Sequence, residues 1–377
     1  MLKKLLMFFL TAVIVVLSFA GCSADKPIKD NADIIKEKTV VKQTVTAEEF
    51  DELLLTMPLA VTEKELIINK KSDEGESLDG QAPEEPTSPD MLKFVVRNNT
   101  DTDIKNMSVA FVGWNENGEP VRFGPASETR GREYLNVAYF AGVNMTSGGM
   151  FGEGNEFLLS EWHEISTFKA IVKDFETFDG DSWENPYFEQ FCELYEEKEY
   201  PSGEFEIIIL DSAFRKKDKE ESSDGITEEE LTAFLAEQPL AVTYTEYISG
   251  NEDGENIYSD LLKAVLINNS EYEIAKVTVA FAAWDENNLP VIITGQADFE
   301  SGEYIKQADF EDVLIKSGSV YEEGVMLPIA TRENITHCKA IALSYETVDG
   351  AKWENPYFEQ FAKLYGEQKL IIPEDAE

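Results

Sequence analysis

The sequence predicts a mostly β protein: two tandem β-sandwich domains from one template, each with a short N-terminal helix and a C-terminal helix packed on a sheet. Three observations carry this. The string Trp-Glu-Asn-Pro-Tyr-Phe-Glu-Gln-Phe occurs at 183–191 and again at 353–361, 170 residues apart. Residues 91–195 lie on 261–365 without a gap, with about 42 identities in 105 positions, so the two stretches must share a fold. Within each stretch, β-rich runs alternate with Asn- and Gly-containing turns before a final helical pattern.

The repeat also filters the residues. A residue type kept in both copies belongs to the fold or to a shared site, and one kept in a single copy is not required by the fold. The organisation read from the chain is a leader over 1–22, a flexible tether over 23–45, repeat domain 1 over 46–210, a linker over 211–226 and repeat domain 2 over 227–372. The leader has Lys3 and Lys4 followed by an apolar run over 5–19, short of the ~20 residues a membrane span needs. It ends in Phe19-Ala20-Gly21-Cys22, which resembles a bacterial lipoprotein cleavage box, with Phe19 where a branched aliphatic is usual. That resemblance implies cleavage before Cys22 and diacylglyceryl attachment to its sulfur. The expected location is the outer face of the cytoplasmic membrane, reached through the lipid, in a Gram-positive bacterium.

Charge narrows the partners. Lys and Arg number 32 against 74 Asp and Glu, a formal net charge of −42. Nucleic acid is excluded as an expected partner, because counterion release needs clustered Lys and Arg. The basic cluster, Arg215-Lys216-Lys217 with Lys219, lies in the linker. Of three cysteines, Cys22 is the anchor, Cys192 aligns with Ala362, and Cys338 aligns with Phe168. Neither copy holds a matched pair; Cys192 and Cys338 read as single buried thiols, with a bridge between the two domains as the alternative.

Each domain opens with the same helix signal. Thr46-Ala47-Glu48-Glu49 and Thr227-Glu228-Glu229-Glu230 are capping boxes, in which the threonine oxygen takes an orphan amide and the glutamate reaches back. The helices end before Pro58 and Pro239. Strands are expected over 92–97 and 262–267, stopped by Asn98-Asn99 and Asn268-Asn269. Longer strands follow over 104–114 and 274–284. Asn117-Gly118 and Asn287-Asn288 sit where a tight turn needs positive φ, before a returning strand at Val121 and Val291. In the central strand Met107, Val109 and Phe111 face one way and Ala110, Val112 and Trp114 the other, with like residues in copy 2. An apolar strand on both faces must be covered on both. Further strands are expected over 169–175 and 339–345. Asn185 and Asn355 then read as N-caps, with Pro186 and Pro356 in the first helical position. Phe188, Phe191 and Tyr195 recur at helical spacing, as do Phe358, Phe361 and Tyr365. Apolar tails over 205–210 and 370–372 read as edge strands. The 11-residue length difference falls in an acidic loop over 72–90, and 124–160 and 294–330 match least well.

The pattern of an apolar strand, Asn-Asn-Ser/Thr, Ala-Phe-x-x-Trp-Asn/Asp-Glu-Asn and Trp-Glu-Asn-Pro-Tyr-Phe resembles an uncharacterised domain family of Gram-positive lipoproteins. More loosely it resembles the immunoglobulin-like FxLYD β-sandwich domains of surface proteins. The likeness spans both domains and omits leader and tether. It implies immunoglobulin-like sandwiches and brings no activity with it.

No catalytic constellation passes the filter. His163 aligns with Glu333 and His337 with Thr167, so no Ser-His-Asp or Cys-His set is common to both copies. There is no zinc spacing, and no metal or cofactor is expected. Candidate binding residues are Trp114, Tyr187, Trp284 and Tyr357, whose rings could line a groove for peptide or sugar, and the copy-1 arginines Arg130 and Arg132. The helical spacing of the aromatics equally suits core packing. Tyr187 and Tyr357 sit off the stripe, so if one aromatic is exposed it is one of these two. The function expected is a non-enzymatic surface lipoprotein that binds or scaffolds a protein partner. The alternative is a small-ligand or glycan binder with one pocket per domain.

Overall fold

The computed structural model describes residues 41–69, 89–126, 132–152, 156–160, 163–216, 225–250, 260–296, 302–330 and 335–372. Cys22, the leader, the tether to residue 40, Arg130 and most of the acidic loop lie outside them. Residues 42–377 group into one compact unit.

Copy 1 begins one element earlier than the sequence predicts. Val41–Val45, read as the end of the tether, is a strand, β1. Helix α1 (Ala47–Leu54) follows, with the Thr46–Glu49 capping box formed in both directions. Then come β2 (Leu59–Ile67), β3 (Met91–Asn98), β4 (Ile104–Trp114), β5 (Pro120–Val121), β6 (Leu135–Phe140), β7 (Met150–Phe151), β8 (Phe157–Leu158), β9 (Thr167–Thr177), β10 (Ser182–Glu184), α2 (Phe188–Tyr195) and β11 (Phe205–Ile209). Copy 2 runs α3 (Glu228–Ala236), β12 (Leu240–Ile248), β13 (Asp260–Asn268), β14 (Ile274–Asp285), β15 (Ile305–Phe310), β16 (Val320–Ile329), β17 (Ile335–Thr347), β18 (Lys352–Glu354) and α4 (Phe358–Tyr365).

The protein is mostly β, in small separate sheets. In copy 1, β2 pairs β3, which carries β7 and β8 on its other edge. A second sheet runs β10-β9-β4, with β5 and β6 both along β4. Copy 2 repeats both, as β12-β13-β16 and β15-β14-β17-β18. Even the irregularities recur. The β2–β3 register shifts between Val61 and Glu63, and the β12–β13 register between Val242 and Tyr244. The Thr62 and Thr243 hydroxyls each donate to a neighbouring-strand carbonyl, on Val95 and Val265, at 3.3 Å. One difference is that copy 1 has the short β7 and β8 where copy 2 has β16. Gly152, at φ 149°, brings its backbone so close to Phe94 that an added Cβ would meet the Phe94 oxygen at 2.2 Å. No other residue type fits there.

The central strands β4 and β14 are buried on both faces, as the sequence predicts. On one face Phe94 of β3 meets Phe111 of β4 with ring centroids 5.2 Å apart. On the other, Trp114 and Trp284 lie under the helices, edge-on to Tyr195 and Tyr365 at 5.9 and 5.8 Å. The turns at Gly118 and Asn288 have φ of 78° and 61°, as their residues predict.

The last helices start later than the sequence suggests. Asn185 and Asn355 do not cap them as helix N-caps, which are Tyr187 and Tyr357. The asparagines instead hold a turn against the sheet, as described below. The tails also diverge. In copy 1, β11 pairs β1 in a two-stranded sheet, and 211–216, read as linker, packs back on the same domain through Phe214. In copy 2, 370–372 forms no strand; Leu370 instead donates its N–H to the Asn288 oxygen at 2.9 Å.

The copies touch directly. Lys105 pairs with Glu367 at 2.8 Å and Lys369 with Asp103 at 3.0 Å. The Asn144 amide donates to Asp285 and to the Pro290 carbonyl, both at 3.1 Å.

Candidate functional site

The duplicated signature does two jobs. Its asparagine is a brace. The Asn185 amide donates to the Val172 oxygen at 2.8 Å, and its Oδ1 accepts from the Tyr187 N–H at 3.0 Å. Asn355 repeats this on Ala342 and Tyr357, at 2.9 and 3.0 Å. The Asn-Pro turn is thus pinned to β9 or β17 in both copies, which fixes where the following helix projects its side chains. Phe191, Tyr195, Phe361 and Tyr365 point into the core.

Three further side chains of the signature, Trp183, Tyr187 and Gln190, grip a backbone. In copy 1 the chain leaves α2, turns, and returns along it as β11 and its extension. The Gln190 amide accepts from the Ile208 N–H at 2.6 Å and donates to the Ile208 carbonyl at 3.0 Å. Two residues on, the Tyr187 hydroxyl accepts from the Leu210 N–H at 2.9 Å and donates to its carbonyl at 3.2 Å. Two further on, the Trp183 indole donates to the Ser212 carbonyl at 3.0 Å. Alternate residues of an extended strand present their backbone to the same side. Trp, Tyr and Gln are therefore spaced to read a strand's backbone as a neighbouring strand would, whatever its side chains.

Side chains add grip at either end. Ile207 is 1% exposed. Phe205 meets Phe50 at 6.1 Å, and Phe214 meets Phe175, itself stacked on Trp183. Beyond Phe214, Lys216 reaches Asp101 at 3.2 Å and holds that carboxyl below the ordinary carboxylate range.

Copy 2 has the same side chains in the same setting without a returning strand among the described residues. Trp353 and Tyr357 are half-buried where Trp183 and Tyr187 are 7% and 1% exposed. Gln360 Oε1 is buried without a hydrogen-bond partner. Tyr345 and Trp353 stack at 5.2 Å, like Phe175 and Trp183 at 5.3 Å, with no third ring against them among the described residues.

A second feature also recurs. Beneath α1, between β2 and the part of β9 that β10 leaves unpaired, lies a cleft of about 210 Å³ lined by Asp51, Lys64, Ile171 and Asn185. Its counterpart under α3, about 220 Å³, is lined by Thr232, Thr245, Ile341 and Asn355. Each has a lysine over a tyrosine ring beside it: Lys169 on Tyr195 at 5.2 Å and Lys339 on Tyr365 at 5.0 Å. Their carboxylate partners differ in position. Lys169 pairs with Asp51 and Lys339 with Glu228, both at 2.6 Å. The aligned residues are Thr232 and Ala47, one helical turn away on the same face, so the pairing is kept while its residue moves. Burial raises both tyrosines above the usual tyrosine range.

The predicted site residues fare unevenly. Trp114 and Trp284 are 0% exposed, each with its indole N–H on a backbone carbonyl, of Lys198 and Gln368; they are core, not groove. Tyr187, one of the two aromatics named as the place for any exposure, is buried, because the returning strand and α1 cover the side that helical periodicity leaves open. Tyr357 is half-buried and stacked on exposed Phe234 at 5.3 Å. Arg132 is exposed and lines a shallow depression with Arg122 beside the first hairpin; Arg130 lies outside the described residues. Gln190 and Gln360 were missed. The available signal was that they stay identical where the adjacent Cys192 and Glu193 become Ala362 and Lys363. Cys192 and Cys338 are free, and burial pushes each thiol up to about 11. Among the described residues no group of three or more His, Cys, Asp or Glu is placed to hold a metal ion.

These features define a class: a tandem-repeat, mostly β protein whose repeated signature braces a helix and, in one copy, clamps a strand. The chain belongs to the family of unknown function DUF5780, which matches it twice, over 91–198 and 261–368. No curated protein matches it. Among solved structures it is similar to a hypothetical protein from Peptoclostridium difficile 630, with 12% identity over 35% of this chain and 94% of that one and a TM-score of 0.28. It is also similar to an anti-sigma factor domain-containing protein, with 10% identity over 75% of this chain and 86% of that one and a TM-score of 0.14. At these scores neither likeness bears on fold or function.

Proposed function

We propose that this protein is a non-enzymatic surface module that captures a protein partner as an extended strand, held at the outer face of the cytoplasmic membrane by a lipid on Cys22. The observation that carries the reading is the signature's grip on Ile208, Leu210 and Ser212 in copy 1, set beside the same three side chains in copy 2 with no strand of their own among the described residues. Backbone reading of an added strand gives affinity with little dependence on side chains, which suits a scaffold. Each copy is read as a sandwich of its two sheets, with the looser FxLYD likeness part of the same proposal; the Phe94–Phe111 contact supports it. A non-enzymatic role is favoured because the histidines share no position between copies, and His163 is engaged with Asp90 at 2.9 Å.

The test is a photo-crosslinking amino acid at position 360 in the full chain on intact cells, with position 190 as the internal standard. Position 190 is expected to crosslink within the chain near Ile208, and position 360 to a polypeptide in trans. An internal adduct at 190 with none at 360 would refute capture by copy 2.

A second reading, small-ligand binding, is favoured by the recurrence of the cleft in both copies. At about 210 and 220 Å³ the clefts fall below the ~300–1,000 Å³ usual for such sites, so strand capture is preferred.

A further inference from the structure

We propose that the clamp of copy 2 selects an extended segment in which an aromatic residue follows the gripped stretch and basic residues follow the aromatic. This rests on the strand-capture reading and names its ligand. Copy 1 supplies the template, because its own occupant is visible. There the gripped residues 208–212 lead into Phe214, whose ring lies 5.2 Å from Phe175, and then into Arg215 and Lys216. The aromatic fills the open side of the Phe175–Trp183 stack, and Lys216 reaches the turn at Asp101.

Copy 2 keeps both receptors. Tyr345 and Trp353 form the same stack, at 5.2 Å and 22°, half-buried. The residue aligned with Asp101 is Glu271, and Glu273 and Asp349 stand nearby, all exposed. The Val348 N–H donates to the Glu273 backbone carbonyl at 3.0 Å, which joins the two turns into one surface. That surface also shows Tyr272 and Val348, 55% and 57% exposed. The turns are therefore apolar and acidic together, Lys276 and Lys352 beside the stack being paired with Glu311 and Glu346, and the Gln360 oxygen, in the place of the Gln190 oxygen that takes the Ile208 N–H, has no hydrogen-bond partner. An aromatic anchor and a following cation match these features in the order in which copy 1 presents them. A partner protein with such a segment is the occupant, since copy 1's own segment is already engaged.

The experiment titrates full-length protein into a labelled peptide spanning residues 208–217, Ile-Ile-Leu-Asp-Ser-Ala-Phe-Arg-Lys-Lys, and follows anisotropy at 0.15 M salt, where loose surface attraction is screened beyond about 8 Å. Saturable one-to-one binding is expected. Replacing the peptide's Phe by Ala, or its three basic residues by Ser, should each weaken it about tenfold, the factor that a 1.4 kcal/mol contact commands. Gln360→Ala and Trp353→Phe in the protein should weaken it similarly. The peptide substitutions leave the protein's folding untouched, so they stand even if a variant protein misfolds. Equal affinity for the Ser peptide overturns the basic requirement and leaves strand capture intact. Binding by the basic peptide that ignores both protein variants overturns the assignment to this clamp. Absence of saturation for every peptide overturns the inference and strand capture by copy 2 together.

Discussion

Gln190 and Gln360 occupy the same place in an identical nine-residue string and meet different surroundings. Gln190 satisfies both backbone groups of Ile208, whereas Gln360 has an oxygen buried with no donor. A hydrogen bond contributes roughly 1 kcal/mol net, and an unsatisfied buried acceptor costs on the order of 1–3 kcal/mol. Gln190→Ala should therefore destabilise the protein by about 1–2 kcal/mol, while Gln360→Ala should leave stability unchanged or slightly raised. Urea unfolding of the two variants measures this, and equal losses would contradict the contrast. The string itself was plain in the sequence. Its division into brace, core and clamp was not, because Asn185, Phe191 and Gln190 are distinguished only by what lies opposite each of them.

At the scale of elements, local signals were the most legible. The capping boxes of α1 and α3 are formed as read, because both partners lie within one turn. Replacing an N-cap threonine costs about 1 kcal/mol. Thr46→Ala and Thr227→Ala are each expected to lower stability by that amount in chemical denaturation, and additively, since the sites share no partner. Turns at Gly118 and Asn288 were legible for the same reason. Strand β1 was not. Its burial pattern is exposed over four of five residues, so it carries no apolar period, and its existence depends on pairing with β11 about 160 residues later. The late start of α2 and α4 has a like origin: Asn185 and Asn355 are drawn to β9 and β17, and a carbonyl on another element outweighs the local cap.

For the whole molecule, charge is the dominant property. A net charge of −42 favours expansion through self-repulsion. Opposing it are ion pairs such as Lys105–Glu367 and Lys369–Asp103 between the copies, each with a partner more than half exposed. Pairs of this kind contribute roughly 0–1 kcal/mol. Repulsion should therefore win, and raising sodium chloride from low concentration to about 1 M should raise Tm, as screening weakens both terms. A fall in Tm measured by scanning calorimetry would show that the ion pairs dominate.

By itself the sequence determined that there are two copies of one mostly β unit, where the first helix of each is capped and its hairpin turns, and which strand is buried on both faces. These follow from periodicity, capping and turn chemistry, which act over a few residues and survive duplication. Only the tertiary structure decided that Trp114 and Trp284 are core, that Tyr187 is covered, that 211–216 folds back on its own domain, and that one signature is filled while the other has no strand among the described residues. Burial and hydrogen-bond pairing depend on which distant segment arrives, and identical strings cannot encode that difference.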